Sequence, residues 1–184
     1  MTFLANLFQR VLEVIAAGLL IALALVVVVA VFCRYVLNDS LPWYDEVASA
    51  MLAWITYFGA ALAAQRRAHL GFSALIKSLS PGLRKLVFVI SEAITYAVFI
   101  AIAWAGWKVL AVMGGISLES LPWVTFKFVQ SIVPIGCVLI VLAQAFSTPL
   151  AWRRVVEGRD AEDDEIEAEI AKAEADLARL DGRD

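Results

Sequence analysis

Long apolar runs without charge set the strongest limit on what this chain can fold into. Residues 14–33, 47–65 and 128–152 contain no Asp, Glu, Lys or Arg, and a fourth run, 86–107, is interrupted only by Glu92. Each run is close to or above the roughly 20 residues that a helix needs to cross a bilayer. Inside lipid only a helix or a closed barrel satisfies every backbone N–H and C=O group. No run alternates with the period of two that a barrel strand requires, so the sequence predicts helices.

The predicted fold is therefore an all-α integral membrane domain with four transmembrane helices. We expect the spans at about 11–34, 43–65, 85–107 and 125–152. The 62% content of hydrophobic residues agrees with this fold, because soluble domains contain about 45–50%. The first run exceeds the roughly 7–15 apolar residues of a secretory signal, and no A-x-A-like cleavage site closes it. We therefore expect the first span to be retained.

The distribution of Lys and Arg predicts the orientation, because positive residues in short loops are retained in the cytoplasm. Nine of them lie at the N-terminus, within residues 66–85 or within residues 153–159 just after the fourth span, and three lie in segments 34–46 and 108–127. Both termini are therefore expected in the cytoplasm and the latter two segments outside. Interfacial aromatic residues agree, since membrane proteins place Trp and Tyr at headgroup level. They are Trp43, Tyr44, Trp104, Trp107 and Trp123.

A short repeat lies in the two predicted outer segments. Residues 39–43 read DSLPW and residues 119–123 read ESLPW. In each copy Ser is a candidate N-cap, Pro suits the first turn of a helix, and Trp is a candidate headgroup anchor. The repeat is explained by two helices that enter the membrane from the same side.

The second predicted helix has one face of small residues. Val47, Met51, Trp54, Phe58 and Leu62 make the opposite face bulky. Small faces let membrane helices approach closely, because lipid provides no hydrophobic drive and packing must hold the helices together. We therefore expect this face to pack against protein. It consists of Ser49, Ala53, Thr56, Ala60 and Ala63.

Two acidic residues begin the same helix on its outer side. Asp45 and Glu46 either favour the positive end of the helix dipole or form an ion pair with Arg34, and the sequence leaves both alternatives open. In the last span Pro134 is expected to kink the helix, with Gly136 beside it. Both are assigned to helix packing.

Glu92 is the one acidic residue inside the four apolar runs. An isolated carboxylate, without charged partners in the neighbouring spans, makes a poor ion pathway. We expect Glu92 to pair with Arg66, Arg67 or Lys85 rather than to bind a coupling ion.

The sequence offers no set of residues for catalysis or for a cofactor. His69 is the only histidine, so the chain alone cannot build a bis-histidine haem site. Cys33 and Cys137 are far apart in sequence and lack the spacing of metal ligands. Neither a nucleophile elbow, a phosphate-binding glycine loop nor an H-E-x-x-H motif occurs. We expect no enzymatic activity, no cofactor and no metal.

The C-terminal segment, residues 156–184, is predicted to be an acidic cytoplasmic tail distinct from the transmembrane domain of residues 1–155. Residues 157–184 contain twelve acidic and four basic side chains. Apolar residues between Ile166 and Leu180 follow a heptad-like spacing, which predicts a short helix that is either solvated or docked on a partner. The acidity argues against nucleic-acid binding.

Several motifs follow one another along the chain. They are Arg34-Tyr35, then Trp43 and Glu46, then the span end from Phe58 to Arg66 followed by His69, and finally Val133-Pro134-Ile135-Gly136. Taken in order, they resemble the small membrane subunit of tripartite ATP-independent periplasmic (TRAP) transporters, the DctQ-like family. The resemblance covers residues of about 5–155, and the tail is longer and more acidic than the family pattern.

This resemblance implies a multi-pass protein of the bacterial inner membrane. In such transporters a periplasmic binding protein captures an organic acid, such as a dicarboxylate, sialic acid or a similar carboxylate. It delivers the acid to a large elevator-type membrane subunit that couples uptake to sodium, and the small subunit scaffolds the large one. The expected partners are thus the large subunit, the periplasmic binding protein and membrane lipid.

The candidate functional residues fall into three groups. Subunit packing is assigned to Ser49, Ala53, Thr56, Ala60, Ala63, Pro134 and Gly136. An outer-side ion pair or docking of the binding protein is assigned to Arg34, Trp43, Asp45, Glu46 and Trp123. The cytoplasmic helix ends carry Arg66, His69 and Glu92.

Two alternative functions are a self-oligomerising channel, which needs polar residues along a span, and a membrane anchor of a redox complex, which needs histidines from partners.

Overall fold

The computed structural model describes residues 3–66, 80–157 and 169–174. Residues 169–174 are helical, and no strand occurs within the described ranges beyond an isolated bridge between Ser117 and Thr125. The named helices are α1 (Phe3–Tyr35), α2 (Tyr44–Arg66), α3 (Pro81–Val112), α4 (Phe126–Gln130) and α5 (Ile132–Glu157).

Within these ranges, four helical stretches are long and apolar enough to cross a membrane. The all-α fold with four spans is therefore confirmed. The helices extend past the uncharged runs to include charged residues such as Glu13 and Lys85, because a helix can continue into the headgroup region, where charges meet water. The stretches are Ala5–Tyr35, Tyr44–Arg66, Pro81–Val112 and Phe126–Val156.

The two serines of the repeat do not cap helices. The first turn of α2 is closed by the carbonyl of Trp43, which accepts from the N–H of Val47 at 3.2 Å, so Ser40 lies too far upstream. At the second copy Thr125 occupies the N-cap position of α4 without a side-chain bond. Both SLPW segments instead form turns ahead of the helices, which leaves Ser120 available for a contact described below.

The end of α1 is set by a residue in the left-handed backbone region. Asn38 has φ 56°, a conformation that Asn adopts more readily than most residues. The chain turns there, and the N–H of Asp39 donates to the carbonyl of Cys33 at 3.1 Å. The loop of residues 36–43 thus returns the chain to the start of α2.

Contacts divide the chain into two compact units, Met1–His69 with Ala93–Ser147 and Leu70–Glu92 with Thr148–Asp184. In the first unit α1, α2 and α5 share a core whose most buried side chains include Leu12 and Ile132, each 1% exposed. Ala61 and Ala143 are fully buried in the same core, where small side chains let helices approach closely.

In the second unit the start of α3 contacts the end of α5. The rings of Phe88 and Trp152 lie 5.8 Å apart between centroids, and Arg84 donates to the carbonyl of Val155 at 3.5 Å. Glu92 accepts a hydrogen bond from the hydroxyl of Thr148. Aromatic packing and polar side chains thus both join the two helices in this unit.

Candidate functional site

The two SLPW segments contact each other at one end of the first unit, which we call the SLPW end. Glu46, in the first turn of α2, accepts hydrogen bonds from the backbone N–H groups of Glu119 at 3.2 Å and Ser120 at 3.0 Å. The hydroxyl of Ser120 donates to the carbonyl of Pro42 at 3.0 Å. These four residues form the SLPW latch, which fixes the loop between α3 and α4 against the start of α2.

The loop of residues 113–125 is held in shape by its own backbone. The N–H of Leu118 donates to the carbonyl of Val124 at 3.0 Å, and the N–H of Val124 donates to the carbonyl of Leu121 at 2.9 Å. The side chain of Leu118 is 8% exposed and anchors the loop. Two successive N–H groups are therefore presented to one carboxylate, an arrangement in which the charge strengthens both bonds.

A groove of about 460 Å³ opens beside the latch, between α2 and the α4–α5 region. Ser49 and Ala53, two members of the predicted small face, line it together with Tyr57. Because Ser and Ala are short, this side of α2 leaves room next to α4. Asp45, Glu46 and Gln130 add polar groups to the lining, and we call this cavity the polar-rimmed groove.

The small face of α2 stays partly open within the chain. Ser49 and Thr56 are exposed, and the hydroxyl of Thr56 donates to the carbonyl of Leu52 at 2.8 Å, so it is satisfied within its own helix. Ala53, Ala60 and Ala63 are half-buried. The buried side chains of α2 are Phe58, Ala61, Ala64 and Gln65.

Gly136 and Pro134 make contacts inside this chain. A Cβ atom added to Gly136 would lie 2.6 Å from the Cβ of Tyr57, so the approach of α5 to α2 requires glycine. A Cβ atom added to Gly106 would lie 3.2 Å from the Cδ of Pro134. Pro134 is in the first turn of α5 and cannot donate to the carbonyl of Gln130. The helical run is interrupted nearby, at Ser131, between α4 and α5.

The charged and aromatic residues predicted at the outer side lie near the latch or on the surface. Glu46 binds the loop between α3 and α4, an arrangement that neither prediction for this carboxylate included. Arg34 lies with its guanidinium 6.0 Å from the ring centre of Tyr35. Asp45 is exposed in the lining of the polar-rimmed groove. Trp43 is half-buried and Trp123 is 79% exposed.

The other end of α2 is joined to α1 by polar side chains. Arg66 forms an ion pair with Glu13, and Gln9 donates to the same carboxylate oxygen of Glu13 at 2.9 Å. The amide of Gln65, a residue 9% exposed, donates to the carbonyl of Ala5 at 2.8 Å. These bonds fix the N-terminal part of α1 against the end of α2.

Arg66 and Glu92 each make a contact that the sequence did not predict. Arg66 pairs with Glu13, the last charged residue before the first uncharged run. Glu92 accepts a hydrogen bond from the hydroxyl of Thr148, and Arg67, one of its predicted partners, lies outside the described residues. His69, the third residue of this predicted group, lies outside the described residues.

The chemistry of the described region is that of packing and hydrogen bonding. In residues 3–66, 80–157 and 169–174, no group of three or more His, Cys, Asp or Glu side chains could hold a metal ion.

The sequence predictions missed the latch and the Glu13–Arg66 pair. For the latch a signal was present, because the two SLPW copies were predicted on one side of the membrane.

Residues 23–154 match the family described as tripartite ATP-independent periplasmic transporters, DctQ component. A relative from Haemophilus influenzae, "Putative TRAP transporter small permease protein", is 26% identical over 81 residues, which cover 44% of this chain and 50% of that protein. The "C4-dicarboxylate TRAP transporter small permease protein DctQ" of Pseudomonas aeruginosa is 26% identical over 108 residues, 56% of this chain and 51% of that protein. The matches thus span about half the length of each relative.

Proposed function

Because the chain belongs to the DctQ component family of the tripartite ATP-independent periplasmic transporters, we propose that it scaffolds the large membrane subunit of such a transporter. Family membership makes it a small permease subunit, which is a transport component and not an enzyme. With four apolar spans it is a multi-pass protein of the inner membrane.

The observation that carries the proposal is the polar-rimmed groove, which the chain itself leaves open. Ser49 is exposed in its lining and Ala53 is half-buried, so a helix of the partner can approach α2 closely at this point. Close approach gives dispersion contacts, the main source of attraction between helices in lipid. We therefore place the contact with the large subunit along Ser49 and Ala53.

Polar groups in the same groove fix how the partner helix is placed along α2. Asp45 and the half-buried Gln130 offer acceptors near the SLPW end, where a basic or hydroxyl side chain of the partner helix can donate. Hydrogen bonds between membrane helices contribute about 0.6 kcal/mol on average. Such bonds are too weak to hold the subunits alone, so they fix the register of a contact that packing stabilises.

Substitution of the small lining residues tests the proposal. We expect Ser49→Phe and Ala53→Phe to abolish recovery of the large subunit when the tagged chain is purified from membranes that contain both. Leu52→Phe is the matched control, since Leu52 is 57% exposed on α2 and lies outside the groove lining. Unchanged recovery with both groove variants, at equal amounts of the tagged chain, would refute the proposed contact.

We also propose that the SLPW end carries part of the docking surface for a periplasmic binding protein. Tyr35 is 77% exposed, Leu37 60%, Ile116 62% and Trp123 79%, and the latch ties the two loops that carry or flank them. Exposed aromatic residues at a rigid surface are typical anchors of protein contacts.

Trp123→Ala should reduce binding of the binding protein to the reconstituted complex, with Trp107→Ala, inside α3, as the control. Equal binding would contradict this assignment.

The transported substrate is proposed to be an organic acid taken up with sodium through an elevator-type large subunit. The name of the Pseudomonas aeruginosa relative, which specifies C4-dicarboxylate, supports a carboxylate. Uptake of labelled C4-dicarboxylates into vesicles that contain all three components, with and without a sodium gradient, tests this part. Ion flux through vesicles that contain this chain alone would favour a channel instead.

A further inference from the structure

A second cavity of the first unit is apolar. It has a volume of about 270 Å³ and is lined by α1, α2, α4 and the loop between α3 and α4. Met51 and Trp54 contribute from α2, Leu121 and Val124 from the loop, and Leu19 from α1. Met51 and Trp54 belong to the bulky face of α2, and we call this cavity the apolar groove.

The apolar groove offers no free polar group to an occupant. Every lining side chain is apolar, and the one with an N–H group, Trp54, donates it to the carbonyl of Val129 at 3.3 Å. The Trp54 ring lies against Phe128 with 5.4 Å between centroids, which fixes one wall. The polar-rimmed groove, by contrast, presents Asp45, Ser49 and Gln130. An occupant of the apolar groove therefore makes dispersion contacts only.

The volume of the apolar groove suits a narrow apolar occupant. A hydrocarbon chain is about 4 to 5 Å wide at carbon contact distances of about 4 Å, and roughly 15 Å of it fills 270 Å³. The groove therefore has room for one extended acyl chain.

The apolar groove lies where the acyl chains of membrane lipids can reach it. Its walls are membrane-spanning helices, so hydrocarbon is the medium at its mouth. It ends at the loop that carries the second SLPW segment, with Trp123 adjacent to the lining residue Val124. Tryptophan favours the headgroup level, which places the headgroup of an inserted lipid beside this loop.

We infer that the apolar groove holds one acyl chain of a phospholipid from the leaflet at the SLPW end, as a lipid retained by the protein. The retained chain fills the space between α1, α2 and the loop fastened by the latch. The inference depends on the membrane placement of the helices and goes beyond the contact proposed for the large subunit, which lies in the other groove.

Photolabelling after removal of bulk lipid tests this inference. The protein is reconstituted, in the form isolated from membranes, into vesicles of phosphatidylethanolamine and phosphatidylglycerol that include phosphatidylethanolamine with a diazirine in the acyl chain. It is then solubilised, washed in detergent, irradiated and analysed by peptide mass spectrometry. We expect label on Met51 and Val124 to survive washing, while label on exposed Val28 and Ile100 is lost. Absence of label at the groove, or equal loss at all four positions, would overturn the inference.

Filling the groove provides the second measurement. Met51→Trp should lower the label retained at Val124 at least about fivefold, corresponding to about 1 kcal/mol of binding free energy. Leu52→Trp is the matched control, because Leu52 neighbours Met51 in sequence and lies outside the groove. Equal retention in the two variants would overturn the inference. If Met51→Trp does not fold, Val124→Trp, read at Met51, fills the groove from the loop and gives the same two outcomes.

Discussion

Glu46 and Ser120 lie 74 positions apart in sequence, yet a carboxylate oxygen of Glu46 accepts a hydrogen bond from the backbone N–H of Ser120 at 3.0 Å. The second carboxylate oxygen accepts from Glu119, and the Ser120 hydroxyl donates back to Pro42. One acidic side chain therefore fastens the loop between α3 and α4 to the start of α2. The same loop contributes to both grooves beside α2, so the latch supports both proposed contacts.

Removal of the Glu46 carboxylate should loosen this loop. Glu46→Ala leaves two backbone N–H groups without their acceptor, and hydrogen bonds to charged groups contribute about 1.5–3 kcal/mol each. Since Glu46 is half-buried and one bond is solvent-exposed, we expect about 1–2 kcal/mol in total. The apparent melting temperature of the purified chain in detergent should fall accordingly.

The neighbouring carboxylate provides the control for this experiment. Asp45→Ala removes the same charge from the first turn of α2 at an exposed position outside the latch. It should therefore change the melting temperature only through the helix dipole, by less than Glu46→Ala. Equal losses in the two variants would show that Glu46 acts through the dipole and that the latch adds no stability.

Gly136→Ala should destabilise the first unit. The added Cβ would lie 2.6 Å from the Cβ of Tyr57, and α5 must shift away from α2 to accept it. Overpacking of this kind typically costs about 1–3 kcal/mol. Gly18→Ala is the control, because no atom lies within 4 Å of the Cβ it would add and alanine favours a helix. A melting temperature unchanged by Gly136→Ala would mean that the two helices do not approach this closely.

The Glu13–Arg66 pair should show coupling between the two positions. Glu13→Gln and Arg66→Gln each remove the attraction, so the double variant should lose no more stability than the more damaging single variant. Both side chains are partly exposed, and the coupling should shrink as salt is added. Additive losses, insensitive to salt, would indicate that the two residues act independently.

Gln65→Met should leave stability nearly unchanged despite the burial of Gln65. The substitution removes the bond to the carbonyl of Ala5, worth about 1 kcal/mol, and also a side-chain oxygen that has no partner among the described residues. Leaving such an oxygen buried costs about 1–3 kcal/mol, so the two effects offset each other. Gln65→Glu should be clearly destabilising, because it places a charge at the same buried position. A loss with Met as large as with Glu would show that the amide is required.

The four membrane-spanning helices could be predicted from local sequence. Residues 14–33 and 47–65 predict spans because uncharged apolar runs of that length have few other ways to satisfy their backbone in lipid. The helices are longer than the uncharged runs, since they continue into the headgroup region through residues such as Glu13 and Lys85. The prediction that the repeat serines are N-caps was wrong. A cap requires the helix to start directly after it, and α2 starts at Tyr44.

The sequence by itself determined the number of spans, the small and bulky faces of α2, and the family resemblance. These follow from periodicity, composition and ordered motifs, which are properties of neighbouring residues. Only the tertiary structure decided that Glu46 binds Glu119 and Ser120, that Arg66 pairs with Glu13, and that α2 has a polar-rimmed groove on one side and an apolar groove on another. Each of these joins residues far apart in sequence, and their distances depend on how helices pack, which no local pattern encodes.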